Sequence, residues 1–388
     1  MRFLTAIISI ICLLGATAQP KANNDFNLSE YCPAGFQLVD QKSCILQSLY
    51  QQYTSPAGFG GLRTPLPAAL DGFSPQEIDL GRYLFFDPVL SGDKTQSCAH
   101  CHHPDLGFAD GRGRSIGKDG KLLSRGAPSL WNVTFQKKFF WDSRSDNLQE
   151  QALEPLLSPI EMAATIKGIE AELNNNITYR QLFGVTYPSS RKEGINIDHV
   201  TRALAAFEAT LISLNSPYDR YAHGDQNALS SEELEGHNIF RSFVTRCSQC
   251  HTPPLFTNGE LAVIGSPEPE GLPRDSGVQG VNGDPVFRGA FKTPTLRNIS
   301  LTAPYMHSGR FSSLNEVIKF YNDGRGNAVP PGEKMHINWH IVNFDLSAEE
   351  IRKLVAFLGT LVDETMKPEI PRRVPSGLPV IAPYGDPS

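Results

Sequence analysis

Two copies of one short motif constrain this chain more than any other feature. Cys98-Ala99-His100-Cys101-His102 and Cys247-Ser248-Gln249-Cys250-His251 both read C-x-x-C-H. Thiols three positions apart can add to the two vinyl groups of one heme, and the histidine that follows then reaches the iron as its proximal ligand. Zinc is the competing chemistry. A zinc ribbon spaces its cysteine pairs about 15–20 residues apart, whereas these pairs begin at positions 98 and 247. A redox dithiol leaves the histidine after both pairs unexplained. The expectation is two covalently attached c-type hemes, one held by Cys98, Cys101 and His102 and the other by Cys247, Cys250 and His251.

The N-terminus reads as an export signal. Arg2 precedes an apolar run from Phe3 to Leu14, and Ala16-Thr17-Ala18 supplies a cleavage pattern. Residues 1–18 are therefore expected to be removed, leaving Gln19 first in a periplasmic protein. Cys12 leaves with them. Of the six cysteines that stay, Cys32 and Cys44 are expected to pair as a disulfide in an oxidising compartment. No stretch reaches the ~18 apolar residues of a membrane span. A net charge of -6 over 388 residues argues against a nucleic-acid partner, which needs a basic face. The same length exceeds what one core usually supports, so two domains are expected.

The two halves repeat each other beyond the heme motifs. Ser74-Pro75-Gln76-Glu77 and Ser230-Ser231-Glu232-Glu233 each open a helix with a serine cap and acids in the first turn. Gly81 with Phe85 follows one start and Gly236 with Phe240 the other; glycine there permits close helix packing. Ala127-Pro128-Ser129-Leu130-Trp131-Asn132 matches Thr293-Pro294-Thr295-Leu296-Arg297-Asn298. Trp141 then corresponds to His307. Each half closes on an amphipathic helix, through Ala206-Phe207-Glu208 and Ala356-Phe357-Leu358. Period-2 strand patterns are scarce, while 33 Gly and 29 Pro break the chain between helices. The predicted fold is mainly α, with two tandem cytochrome c-like domains and long loops: residues 25–214 and 215–365. The Pro-rich tail, 366–388, is expected to run extended over the surface.

The sixth iron position decides the chemistry, because a filled site transfers electrons and an open one can bind peroxide. Tyr321 lies fourteen residues past His307, and the same step from Trp141 reaches Pro155. On spacing alone Tyr321 reads as a core tyrosine at a helix end.

The chain resembles the bacterial diheme cytochrome c peroxidase family over nearly all of its mature length, and within it the MauG/MbnH-type branch. The two heme motifs, Ser115-Ile116-Gly117, Phe140-Trp141-Asp142, Glu150 to Met162 and Lys292 to His307 carry the likeness. The resemblance implies that Tyr321 ligates the second iron, where the peroxidases usually place methionine. It implies that Gln151, Pro155 and Glu161 form the distal pocket of the first heme, with Glu161 as acid–base group, and that Trp141 relays electrons between hemes. The histidine that commonly caps the first heme of the peroxidases is Lys118 here. It further implies a calcium ion between the domains, held by backbone carbonyls of Thr302 and Pro304. Gly126 stands where the family has an asparagine ligand, and Asn132 is nearby but not equivalent. Thr245 stands where MauG has a tryptophan just before the second heme motif.

The function expected is reaction with hydrogen peroxide followed by oxidation of a partner protein. The alternatives are a peroxidase drawing electrons from a small cytochrome or cupredoxin, and a non-catalytic electron carrier, which would carry two six-coordinate hemes. The chain is expected to act as a monomer or homodimer.

Overall fold

A computed structural model of the protein describes residues 26–47, 50, 66–324 and 327–384. The signal reading of residues 1–18, with Arg2, Cys12 and the new N-terminus at Gln19, falls outside the described residues.

The fold is mainly helical. In the first half, α1 is Pro75–Phe86, α2 Cys98–Cys101, α3 Leu148–Leu157, α4 Ile166–Asn175, α5 Ile177–Thr186, α6 Ser190–Glu193 and α7 Ile197–Glu208. In the second, α8 is Pro217–Ala222, α9 Ser231–Phe240, α10 Cys247–Cys250, α11 Gln279–Asn282, α12 Leu314–Asn322 and α13 Ala348–Gly359. Among the described residues, regular strands make two antiparallel pairs: β1 (Phe36–Val39) with β2 (Ser43–Leu46), and β3 (Leu261–Val263) with β4 (Ala290–Lys292).

The capping chemistry fixes the helix starts. Ser74 accepts a hydrogen bond from the Glu77 amide, and the Glu77 carboxylate accepts from the Ser74 amide. Ser230 with Glu233 repeats this box at α9, and Ser347 with Glu350 at α13. Each box satisfies two amides that the first turn of a helix leaves without partners.

Each half is then built on one close helix crossing. In the first, α1 packs on α7; in the second, α9 packs on α13. A Cβ added at Gly81 would sit 1.8 Å from the Ala203 carbonyl oxygen, and one at Gly236 would sit 2.0 Å from that of Lys353. No side chain fits either crossing, so glycine sets the approach of both helix pairs. The aromatic cores match as well: Phe85 meets Phe207 at 5.0 Å, and Phe240 meets Phe357 at 5.2 Å between ring centroids. Asn132 and Asn298 are left-handed, at φ 60° and 58°. Each turns its side-chain amide onto the chain leaving the closing helix. Asn132 donates to the Ser213 carbonyl and accepts from its amide, and Asn298 does the same with Asp363.

Two separate apolar cores result. One gathers residues between Leu80 and Leu211, and the other residues between Tyr218 and Leu361. The Cys32–Cys44 disulfide is formed, and Cys44 is buried against Phe73 and Ala206 beside the α1–α7 pair.

The tail departs from the surface course expected for residues 366–388. Val374 is buried in the first core, and Ile370, Leu378, Val380 and Ile381 pack against it. Ser376 donates to Asp87, and Lys367 pairs with Asp105 at 3.1 Å. The reason lies in composition: isolated aliphatic residues between the prolines give an extended segment something to bury. The tail thus leaves the second half and straps the first; residues 385–388 lie outside the described part.

Candidate functional site

The two C-x-x-C-H motifs fold alike. Cys98–Cys101 and Cys247–Cys250 each form a single helical turn, and the following histidine caps it by donating its amide to the first cysteine's carbonyl. All four thiols are free. Burial pushes them up, Cys101 to about 12 and Cys247 to about 11, which favours the neutral thiol in the chain as it stands. His102 holds its Nδ1 2.9 Å from the Phe108 carbonyl, and His251 holds its own 3.1 Å from those of Phe256 and Pro294. A carbonyl only accepts, so Nδ1 carries the proton and Nε2 is the nitrogen left to bind iron. Burial pushes both imidazoles below their ordinary pKa, with the carbonyl hydrogen bonds opposing, which favours the neutral ligand form.

A cavity of about 270 Å³ opens beside the second motif. At one end its wall is Phe240, Leu358, Cys247, Cys250 and His251; at the other it reaches Gly126, Trp141 and His307. Apolar walls, two free thiols and an oriented imidazole fit a covalently attached heme. Tyr321, in the last turn of α12, lines the same space. Burial pushes its phenol well above the ordinary range, and the adjacent Cys247 and Cys250 add to this. A phenolate there would need a cation beside it, which a ferric heme supplies. His340 also lines this cavity, and its Nδ1 is buried without a hydrogen-bond partner among the described residues. Sequence reasoning gave His340 no role, because it belongs to a loop with no counterpart in the first half.

Beside the first motif the corresponding helix is α3, capped by Asn147. Pro155 stands in its last turn, and Gln151, four residues earlier, shares its face. The chain then folds back. The Met162 amide donates to the Pro155 carbonyl at 3.2 Å, which returns Glu161 to the end of α3. Burial raises the Glu161 carboxyl, Arg144 pulls it down and Glu154 raises it, with a net rise. Its charge is felt at Cys101 of the first motif. Gly117 is pressed against Ile160: a Cβ there would lie 1.9 Å from the Ile160 oxygen. The Lys118 amide donates to that oxygen while its ammonium turns to Asp119, 3.2 Å away.

Trp141 lies at the seam of the halves. Its indole N–H donates to the Gly126 carbonyl at 2.9 Å, and its ring meets His307 edge-on at 6.5 Å. The seam is polar around it. Arg125 binds Asp142 of the first half at 2.6 Å and Asp275 of the second at 2.7 Å, and His307 is 2.9 Å from Glu268. Burial pushes the Lys292 ammonium down to about 8, next to Gln136 and the Lys138 carbonyl. Thr302 and Pro304 line the cavity with Gly126. The Asn132 side chain is engaged with Ser213, donating to its carbonyl and accepting from its amide.

The chain is similar to known proteins over most of its length. The family model described as di-haem cytochrome c peroxidase matches residues 75–227. The methylamine utilization protein MauG of Methylorubrum extorquens is 36% identical over 309 residues, covering 79% of this chain and 84% of that protein. Cytochrome c551 peroxidase of Nitrosomonas europaea is 34% identical over 307 residues, covering 78% and 86%. Among solved structures, a MauG-like protein associated with microbial copper homeostasis superposes with a TM-score of 0.70 at 32% identity, covering 81% of this chain and 97% of its own. The diheme peroxidase BthA from Burkholderia thailandensis gives 0.64 at 26% identity, covering 79% and 90%.

Proposed function

This chain belongs to the di-haem cytochrome c peroxidase family, and from that premise we propose that it is a periplasmic diheme enzyme of the MauG type, which uses hydrogen peroxide to oxidise a partner protein. Family membership makes it a heme-dependent oxidoreductase that acts on peroxide and works with a redox partner. The finer assignment is ours, and one observation carries it. Lys118 stands at the position of the peroxidases' capping histidine and points its ammonium at Asp119, so no histidine is offered at that position to cap the first heme.

In this reading residues 25–214 carry the peroxide-reactive heme on Cys98, Cys101 and His102. Residues 215–365 would carry the electron-transfer heme on Cys247, Cys250 and His251, with Tyr321 as a further ligand to its iron. When bound, the hemes would supply the electrons that reduce peroxide. The protein does the rest. Pro155 keeps a non-ligating side chain at the place Tyr321 takes in the second half. Glu161 takes a proton from bound peroxide and returns it to the leaving oxygen, and Gln151 orients the peroxide by hydrogen bonding. Trp141 relays electrons across the seam. A calcium ion at the seam would draw on the Thr302 and Pro304 carbonyls, with water in place of the asparagine that Gly126 lacks.

The fully oxidised protein is expected to respond rapidly to hydrogen peroxide, with a spectral change in both hemes. Stopped-flow absorption, run beside the same mixing after one-electron reduction, measures this. Reactivity that appears only after reduction, with fast turnover on a small cytochrome or cupredoxin, would establish the peroxidase instead. No reaction in either state would leave an electron carrier.

Tyr321→Phe tests the second site. Loss of an anionic oxygen donor should shift the low-spin EPR signal and raise the potential of that heme, because tyrosinate favours oxidised iron. An unchanged signal would return Tyr321 to the core and pass the ligand role to His340.

A further inference from the structure

Glu208 ends α7 with 5% of its surface exposed, and its Oε2 has no hydrogen-bond partner among the described residues. Burial pushes this carboxyl up to about 8, and no nearby cation opposes the rise. The repeat locates the position. Ala206-Phe207-Glu208 corresponds to Ala356-Phe357-Leu358, and Leu358 lines the cavity beside Cys247 and His251. Glu208 takes that place in the first half, and its charge is felt at Cys98. A leucine meets the packing need in the second half, so the first half carries a buried carboxyl, with Oε2 lacking a partner among the described residues, that packing does not require.

Charged groups on α1, α3 and α4, which pack against α7, are either exposed or engaged elsewhere. On α1, Glu77 pairs with Arg202 of α7 itself, and Asp79 pairs with Arg82. On α3, Glu150 is exposed and Glu154 pairs with Arg144. On α4, Lys167 is exposed, Glu170 accepts from the Ile197 amide and Glu172 pairs with Lys94.

We propose that Glu208 is the redox-linked proton site of the first heme, binding one proton when that heme gains an electron and releasing it when the heme is oxidised. This rests on the reading that Cys98, Cys101 and His102 hold that heme. The electron comes from the redox partner and the proton from water; no other bond changes. The cause is electrostatic. An electron added to a pocket of low dielectric makes a nearby carboxylate more costly, and protonation cancels the added charge.

The test is a spectroelectrochemical titration of the holoprotein between about pH 6 and pH 10, the range that brackets a carboxyl raised this far. The first heme's potential should fall as pH rises, most steeply near Glu208's own titration. The limit is a tenfold change in equilibrium constant per pH unit, about 59 mV for one electron. In Glu208→Gln and Glu208→Leu the slope should flatten, while the second heme stays unchanged. The leucine variant reproduces the residue of the second half, so its packing is already precedented in this fold. A flat wild-type potential, or a slope that survives both substitutions, overturns the proposal. A pyridine hemochrome assay on the same samples separates the failures. Fewer than two hemes in the wild type would sink the attachment reading, whereas full heme with a flat potential sinks only the role of Glu208.

Discussion

Glu161→Gln is expected to slow the reaction of the oxidised protein with hydrogen peroxide by about 10²–10⁴-fold, the usual contribution of a positioned acid–base group. The substitution keeps the shape of the side chain and removes its ability to accept and return a proton. Burial lifts the Glu161 carboxyl above its ordinary range, against the pull of Arg144. That brings its titration closer to the working pH, where a group that must both accept and return a proton is most effective. The sign of the pH dependence follows. Peroxide binds with its proton, and Glu161 must be ionised to take it. The wild-type rate should therefore rise as pH passes upward through the Glu161 pKa, and the Gln variant should lose that limb. Stopped-flow mixing across pH reads both effects. An unchanged rate would make Glu161 a half-buried carboxylate of the α3 turn, and the proton would need another carrier.

How much of this was legible beforehand depended on which residues repeat. The heme motifs, the serine caps and the crossings at Gly81 and Gly236 were visible because each rests on local chemistry, or on a residue type that no other can replace. The repeat also made Pro155 and Tyr321 comparable before any geometry existed. Tertiary choices were less legible. His340 enters the second cavity from a loop without a counterpart. Val374 straps the first core from a tail that composition alone describes as surface. Glu208 stood in plain view opposite Leu358, but a glutamate in an amphipathic helix reads as solvated until its burial is known. The seam around Trp141 is the clearest case. Arg125, Asp275, Glu268 and Lys292 come from separate stretches, and only the folded chain makes them neighbours.

The second half also holds one of the most costly interactions to break, and it stands where the repeat is broken. Trp131 of the first half is fully buried, with its ring edge-on to Phe108; its counterpart is Arg297. Arg297 is equally buried, and it survives there by pairing with Asp219. Nη1 lies 2.5 Å from Oδ2 and Nη2 lies 2.7 Å from Oδ1, with neither side chain exposed. Ser216 and Tyr50 donate to the same carboxylate, and Arg297 Nε donates to the Pro254 carbonyl at 2.8 Å. Such a pair adds little stability over an apolar replacement, yet removing one partner leaves a bare charge in the core, at about 3–5 kcal/mol. Asp219→Ala should therefore destabilise the protein by about that amount. Replacing Asp219 and Arg297 together with Leu and Met should restore most of the loss, because the stranded charge goes with its partner. Guanidinium unfolding followed by circular dichroism measures both. The pH dependence has a definite sign. Burial pushes the Asp219 carboxyl up, but Arg297 and the hydrogen bonds outweigh it and hold it below the ordinary range. Its contribution is thus present above the unfolded carboxyl pKa and is lost as pH falls through the depressed folded value. The double variant should lack this part of the acid sensitivity. A single variant as stable as the wild type would mean that the second half relaxes to let water reach Arg297, and that the buried pair is not what holds α8 to the chain around Pro254.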